Sequence, residues 1–314
     1  MNARLIPCLN DHIRSPQVPR FPRLSFRCFL ALLFILCCDR SLFAQESPYI
    51  VTYDHYLEEP GSLGLEYFST FGTQRGGNDF HAFWAEFEYG VTAWWTTEFY
   101  LDGQTTFSDS TLFTGFRVEN RLRLLNREHF VNPVLYIEYE QISAADKILK
   151  EVEGHDVESD FAPSNSELPK DHDHELELKL LLSSTFKSWN VAVNPIATKN
   201  LSPSEPWEFA YAVGASRPLA LKALPDRCNF CRENFIAGLE MYGGLGDVDS
   251  PGLHNTSHYL APVIAWNLPS DWTFRLSSGF GLNDNSHRVL LRWGISREFS
   301  GLGEMVKRWF GGRA

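Results

Sequence analysis

The chain has 314 residues, with 28 Lys and Arg against 39 Asp and Glu, for a formal charge of −11. So acidic a balance excludes a nucleic-acid partner, which selects basic surfaces. Beyond the N-terminal region no stretch is long and apolar enough for a membrane helix, which needs about 20 residues. Membrane contact, if any, has to be made by strands closed on themselves.

Arg14, Arg20, Arg23 and Arg27 precede an apolar run from Cys28 to Cys38, and Leu42-Phe43-Ala44 then supplies a small residue before Gln45. A basic region, an apolar core and a small residue at the cut predict a secretory signal over residues 1–44. Acylation at Cys37 or Cys38 is disfavoured, because Leu36 stands where a small residue is wanted. Cleavage leaves a more acidic chain whose only cysteines are Cys228 and Cys231, which excludes a disulfide-stapled fold. Residues 45–61 read as an N-terminal periplasmic segment.

From there the sequence repeats one unit, alternating apolar and polar residues closed by a turn. Strands are predicted near 62–72, 80–90, 94–103, 111–124, 131–142, 174–184, 188–197, 206–217, 234–243, 257–266, 272–282 and 287–299. The clearest runs from Leu112 to Leu124. Leu112, Thr114, Phe116, Val118, Leu122 and Leu124 share one face, and Arg117, Glu119, Arg121 and Arg123 the other. A soluble sandwich would bury the apolar face; a membrane barrel turns it toward lipid. Aromatics gather near strand ends on that face, including Tyr67, Phe71, Phe87, Trp207, Trp272, Trp293 and Phe299. Such rings suit the headgroup level.

Outer-membrane barrels have short periplasmic turns and longer external loops. The odd-numbered connections, about 73–79, 104–110, 143–173, 198–205, 244–256 and 283–286, are mostly the long ones, which fits twelve strands; ten or fourteen lie within boundary error. The connection 218–233 is a long exception on the periplasmic side. The fold expected is therefore an all-β, closed antiparallel transmembrane barrel over 62–299, with a tail at 300–314.

The inner face expected is charged nearly all the way round. Glu86, Glu98, Glu138 and Glu177 stand with Arg117, Arg121, Arg123, Arg275, Arg288 and Arg292, and Glu66, Glu88, Asp102, Glu119, Glu140, Lys179 and Glu240 share that parity. Opposite signs fall side by side on the third and fourth strands, the fourth and fifth, and the twelfth and first. An Arg or Lys facing lipid at the midplane would cost about 2–4 kcal/mol, so these charges belong inside.

Units such as Glu86-Phe87-Glu88-Tyr89-Gly90-Val91-Thr92 followed by Trp94-Trp95, and the closing Trp272-Thr273-Phe274-Arg275 and Arg288 to Ile295, resemble the bacterial outer-membrane transporter or "MetA-pathway of phenol degradation" family. The resemblance implies an outer-membrane channel without a defined substrate. Val289, Leu291, Trp293, Ile295 and Phe299 fit a barrel-assembly signal, with Arg297 interrupting it. Met305, Val306, Trp309 and Phe310 beside Lys307 and Arg308 could form an interfacial amphipathic turn, or a frayed tail.

The loop residues His155, Asp156, Glu158, Asp160, Asp171, His172, Asp173 and His174, and a second group of Asp247, Asp249, His254 and His258, match no defined metal-ligand pattern. Neither metal nor cofactor is expected. Cys228-Asn229-Phe230-Cys231 is best read as a local structural disulfide, because a redox motif would open a helix in another fold. A Ser–His pair for ester hydrolysis would be His254 with Ser257 or Ser286 with His287, each without a third partner, so the chain reads as no enzyme. The function expected is passage of small polar solutes through a charged lumen in the bacterial outer membrane. Its partners would be membrane lipid, the solutes and, during biogenesis, the barrel-assembly machinery. The alternatives are a plugged structural barrel and, less so, a lipase-like enzyme.

Overall fold

The computed structural model describes residues 47–73, 79–107, 109–143, 146, 172–202, 204–220, 228–253 and 255–302. The expected signal at 1–44, the acidic and His-bearing loop through His155 to Asp171, His254 and the tail from 303 lie outside them.

Twelve strands form: β1 (Leu63–Gly72), β2 (Phe80–Thr92), β3 (Trp95–Thr106), β4 (Thr111–Arg123), β5 (Asn132–Ser143), β6 (His172–Phe186), β7 (Trp189–Asn200), β8 (Trp207–Pro218), β9 (Phe235–Asp247), β10 (His258–Asn267), β11 (Trp272–Gly281) and β12 (Val289–Phe299). Each pairs antiparallel with its chain neighbours, and β1 returns to β12 with Leu63 opposite Phe299, so the sheet is a closed barrel. Closure removes the exposed edges that a sandwich would keep. The two-sheet alternative is excluded by that seam.

The end that carries the first and last strand termini has the short turns, and the connection 219–234 is long there, as the sequence indicated. At this periplasmic end β6 and β7 meet in a two-residue hairpin, Lys187 and Ser188, both at positive φ (49° and 67°). That is the turn whose twist matches paired strands.

The faces divide as the medium demands. Phe113 is 62% exposed on the outer wall while Glu119 on the same strand is 0% exposed inside. Phe71, Phe87, Phe99, Trp207, Phe209, Leu276 and Trp293 are likewise exposed on the exterior. Thr114 departs from the expected alternation. It is the extra residue of a bulge where Asp102 pairs with Gly115 and Gly103 with Phe113, and it turns inward to donate to Asp146 Oδ2 at 2.8 Å. The extra residue shifts the phase of the strand before it: Leu112, expected outside, pairs with the buried Gln104, and Phe113 turns outward in its place. Phe299 is also not on the open surface but only 3% exposed. Arg297, which breaks the apolar series of β12, lies over its ring at 4.7 Å and over Trp272 at 5.3 Å. Stacking on two rings makes the charge tolerable at an interface.

Candidate functional site

The lumen holds the charges. On β4 Arg117 grips Asp102 of β3 with two bonds, 3.2 and 3.1 Å, and Glu138 of β5 at 3.0 Å, with its guanidinium 4.0 Å over Tyr100. One turn of the pleat away, Arg121 joins Glu88 of β2 and Glu98 of β3, and meets Glu119 at 3.1 Å. The Tyr100 hydroxyl lies 2.5 Å from Glu98 and 2.6 Å from Glu119, its single proton shared between the two carboxylates. On β6 Lys179 bonds Glu177 at 2.6 Å. Strand alternation delivers these groups to one face, and complementary sign across adjacent strands makes their burial tolerable.

The expected pairings across the third, fourth and fifth strands are thus present. At the seam Glu66 reaches Arg275 on β11, at 2.9 Å. Glu86 and Arg292 are buried inside, the latter with its guanidinium 5.4 Å from the Tyr242 ring. Of the other expected lumen residues, Arg288 precedes the first residue of β12 and is exposed, whereas Arg123 keeps the inward parity opposite the buried Val134 and is half-buried at the periplasmic end of β4.

Residues 47–61, expected as a periplasmic segment, run inside the barrel as an extended strap. Arg275 Nε donates to Ser47 O at 2.8 Å. The Tyr49 hydroxyl donates to Asn190 O, 3.0 Å, at the start of β7, and its ring fills the space over Gly214 of β8, where an added Cβ would come within 2.7 Å. Glu240 of β9 accepts three consecutive backbone N–H groups, from Ile50 (3.1 Å), Val51 (2.9 Å) and Thr52 (2.7 Å). The Asn194 amide both accepts from Tyr53 N, 2.7 Å, and donates to Tyr53 O, 2.9 Å. Ser183 Oγ accepts from His55 N at 2.9 Å, and Thr96 Oγ1 from Glu58 N at 3.1 Å. Gly61 N finally donates to Gly90 O at 2.7 Å, before β1 begins. The strap thus circles the wall from β11 through β9, β7, β6 and β3 to β2.

Its side chains complete the apolar patches of the lumen. Tyr49 packs with Ala192 and Val263, and Tyr53 and Leu57 pack on Val134, Tyr136 and Leu181. Val51 joins Phe80, Tyr242, Tyr259 and Leu290, each 0% exposed, in the layer that fills the external half. Burial lifts the Asp54 carboxyl above the ordinary aspartate value, opposed by the Tyr56 N–H that donates to it at 3.0 Å. Burial likewise raises the Tyr49 and Tyr53 hydroxyls.

Between strap and wall remains a cavity of about 980 Å³ that reaches Glu298, Asn267 and Asn234 at the periplasmic rim. Two carboxylate triads, Glu86–Glu88–Glu98 and Glu138–Glu140–Glu177, bring one oxygen from each residue within 4.8 Å of the others. Arg121, Arg117 and Lys179 already occupy the cationic role there. On the periplasmic side Cys228 and Cys231 are disulfide-bonded. The loop they close rests on the outer wall, where Trp266 Nε1 donates to Asn229 O at 2.7 Å and Phe230 lies 4.5 Å from the Trp266 ring.

An apolar exterior, a charged interior and a twelve-strand meander closed on itself define an outer-membrane β-barrel, and the outer membrane is where the chain resides. No family model matches the chain, and no curated protein does. The COG4313 outer membrane channel from Pseudomonas putida F1 is similar in structure, with a TM-score of 0.52 at 10% identity over 80% of this chain and 100% of that one. The KdgM porin gives 0.46 at 8% identity over 75% and 99%. At these identities the likeness concerns the fold alone.

Sequence reasoning missed the strap. Its signal was present: Tyr49, Val51 and Tyr53 alternate with Thr52 and Asp54, and the four central inward positions of β8 are small (Ala210, Ala212, Gly214 and Ser216). Room inside one wall and an alternating segment just upstream of β1 belong together.

Proposed function

We propose that the chain is an outer-membrane channel for small polar solutes, seen with its strap docked and its external half shut. The observation that carries this reading is the 980 Å³ cavity, which joins the strap to the charged wall and continues to the periplasmic rim. A barrel filled only to be stable has no need of such a space. Opening consists of the strap leaving Glu240 and Asn194. Val51 then withdraws from the layer of Phe80, Tyr242 and Tyr259 and loosens it. Arg117, Arg121, Arg275 and Arg292 with Glu86, Glu98, Glu138 and Glu177 form the wall past which a solute moves.

Planar-bilayer recording tests this. The intact protein should conduct rarely, and a variant lacking residues 47–58 should conduct steadily. Well-folded samples of both that pass no current would favour the second reading, a structural barrel. That reading draws on the packing of Phe80, Tyr242, Tyr259 and Leu290. Kinship with the transporter or MetA-pathway family is part of this proposal and rests on the strand motifs. So do the partners: membrane lipid, solute and, during biogenesis, the barrel-assembly machinery.

The proposal is of a protein without enzymatic activity. The Ser286 hydroxyl lies among His258 N, His258 O and Asn283 Oδ1 rather than on the His287 ring. Hydrolysis of phospholipid or ester by purified protein would count against it.

A further inference from the structure

The residues that line the lumen cavity include eleven with carboxylates and five with cationic side chains. We infer that the channel selects small cations over anions, rather than passing zwitterions indifferently. The inference rests on the channel reading and names the solute class of the same lumen.

Two independent features support it. The first is the sign of the lining. Arg117 is already engaged by Asp102 and Glu138, Arg121 by Glu88, Glu98 and Glu119, Lys179 by Glu177, and Arg275 by Glu66. An anion entering the cavity would have to compete with those carboxylates. A cation meets a field of its own counter-charge, focused between low-dielectric walls. The end of the strap anchored at Thr96 and Gly90 strengthens the field, since Glu58 and Glu59 come from it and not from the barrel.

The second feature is how the molecule houses its own cations. All five sit against an aromatic ring: Arg117 at 4.0 Å from Tyr100, Arg121 at 5.5 Å and Lys179 at 5.0 Å from Tyr53, Arg275 at 5.6 Å from Phe68, and Arg292 at 5.4 Å from Tyr242. Ring faces carry negative potential and replace part of a cation's hydration shell. Tyr53, Phe68, Trp84 and Tyr100 also line the cavity, so a solute cation finds there the surroundings the protein's own cations already use. The same rings offer nothing comparable to an anion.

The test is the reversal potential of the full-length protein in a planar bilayer under a KCl gradient. The expected result is a K+ over Cl− preference of roughly tenfold, the low end of what a one-signed cleft does to ion entry. The double substitution E58Q/E59Q removes two strap carboxylates and leaves the wall's ion pairs intact. It should move the reversal potential toward zero in protein that keeps heat-modifiable gel mobility. A reversal potential at zero or on the chloride side overturns this inference while leaving the channel standing, and so does one that E58Q/E59Q does not move. Absence of current from folded protein defeats the channel reading itself, and this inference falls with it.

Discussion

On β3, β4 and β5 the interior charges meet one another side chain to side chain, whereas on β6, β7 and β9 single polar groups meet a passing backbone. The first arrangement joins neighbouring strands of a wall that hydrogen bonds already fix, so nothing in it can leave without exposing a charge. The second joins the wall to a segment that passes through the lumen before it enters β1. Ser183 and Asn194 each hold the strap at one residue, His55 and Tyr53, and Glu240 holds it at three, Ile50 to Thr52. The contrast separates what makes the barrel rigid from what can be released within it.

The sharpest way to break the comparison is at the ionic side. Arg121→Ala strands Glu88, Glu98 and Glu119 in the interior and should cost about 3–5 kcal/mol, the penalty of leaving buried charge unpaired. Loss of heat-modifiable mobility at a lower temperature would measure it, and conductance should not rise in the protein that remains folded. On the strap side Glu240→Ala removes the acceptor of three N–H groups. The expected loss of docking is on the order of 3 kcal/mol, about a hundredfold in the docked-to-free ratio. Here open probability should climb while the barrel's melting hardly changes. If Glu240→Ala melts the barrel instead, strap and wall are one cooperative unit. Asn194→Ala should follow the same pattern at about 1 kcal/mol.

The smallest effect is on pH. Because burial raises the Asp54 pKa, the docked strap binds a proton more readily than the free one. Docking is therefore strongest below the ordinary aspartate value and weakens as pH climbs through the raised one. Closed-state occupancy should decline across that interval in the wild type, and this slope should vanish in Asp54→Asn.

Strand positions were legible because the two media enforce them. β1 was expected at 62–72 and forms over Leu63–Gly72, and β8 was expected at 206–217 and forms over Trp207–Pro218. A register slip of one residue would put Arg117 or Glu138 into lipid, so the alternation has to be written in the sequence. The strap escaped for the opposite reason. Its partners are single polar groups scattered over several strands, and Asn194, Ser183 and Glu240 look like any inward polar residue until the backbone that uses them is in place. Thr114 and Leu112 escaped because a strict period of two, carried through the one-residue bulge between Gly103 and Gly115, assigns the residues before it to the wrong face. Arg288 shares the inward parity of Arg292 but lies one residue beyond the paired strand, where parity no longer decides direction.

Because Ser47 and Pro48 already lie within the barrel beside Arg275, whatever is attached there travels with the gate. A compact affinity tag grafted ahead of Ser47 would act as a stopper and silence recordings for reasons unrelated to the native molecule. An environment-sensitive dye on Pro48→Cys would instead brighten or dim with each undocking, and so report opening optically in intact cells.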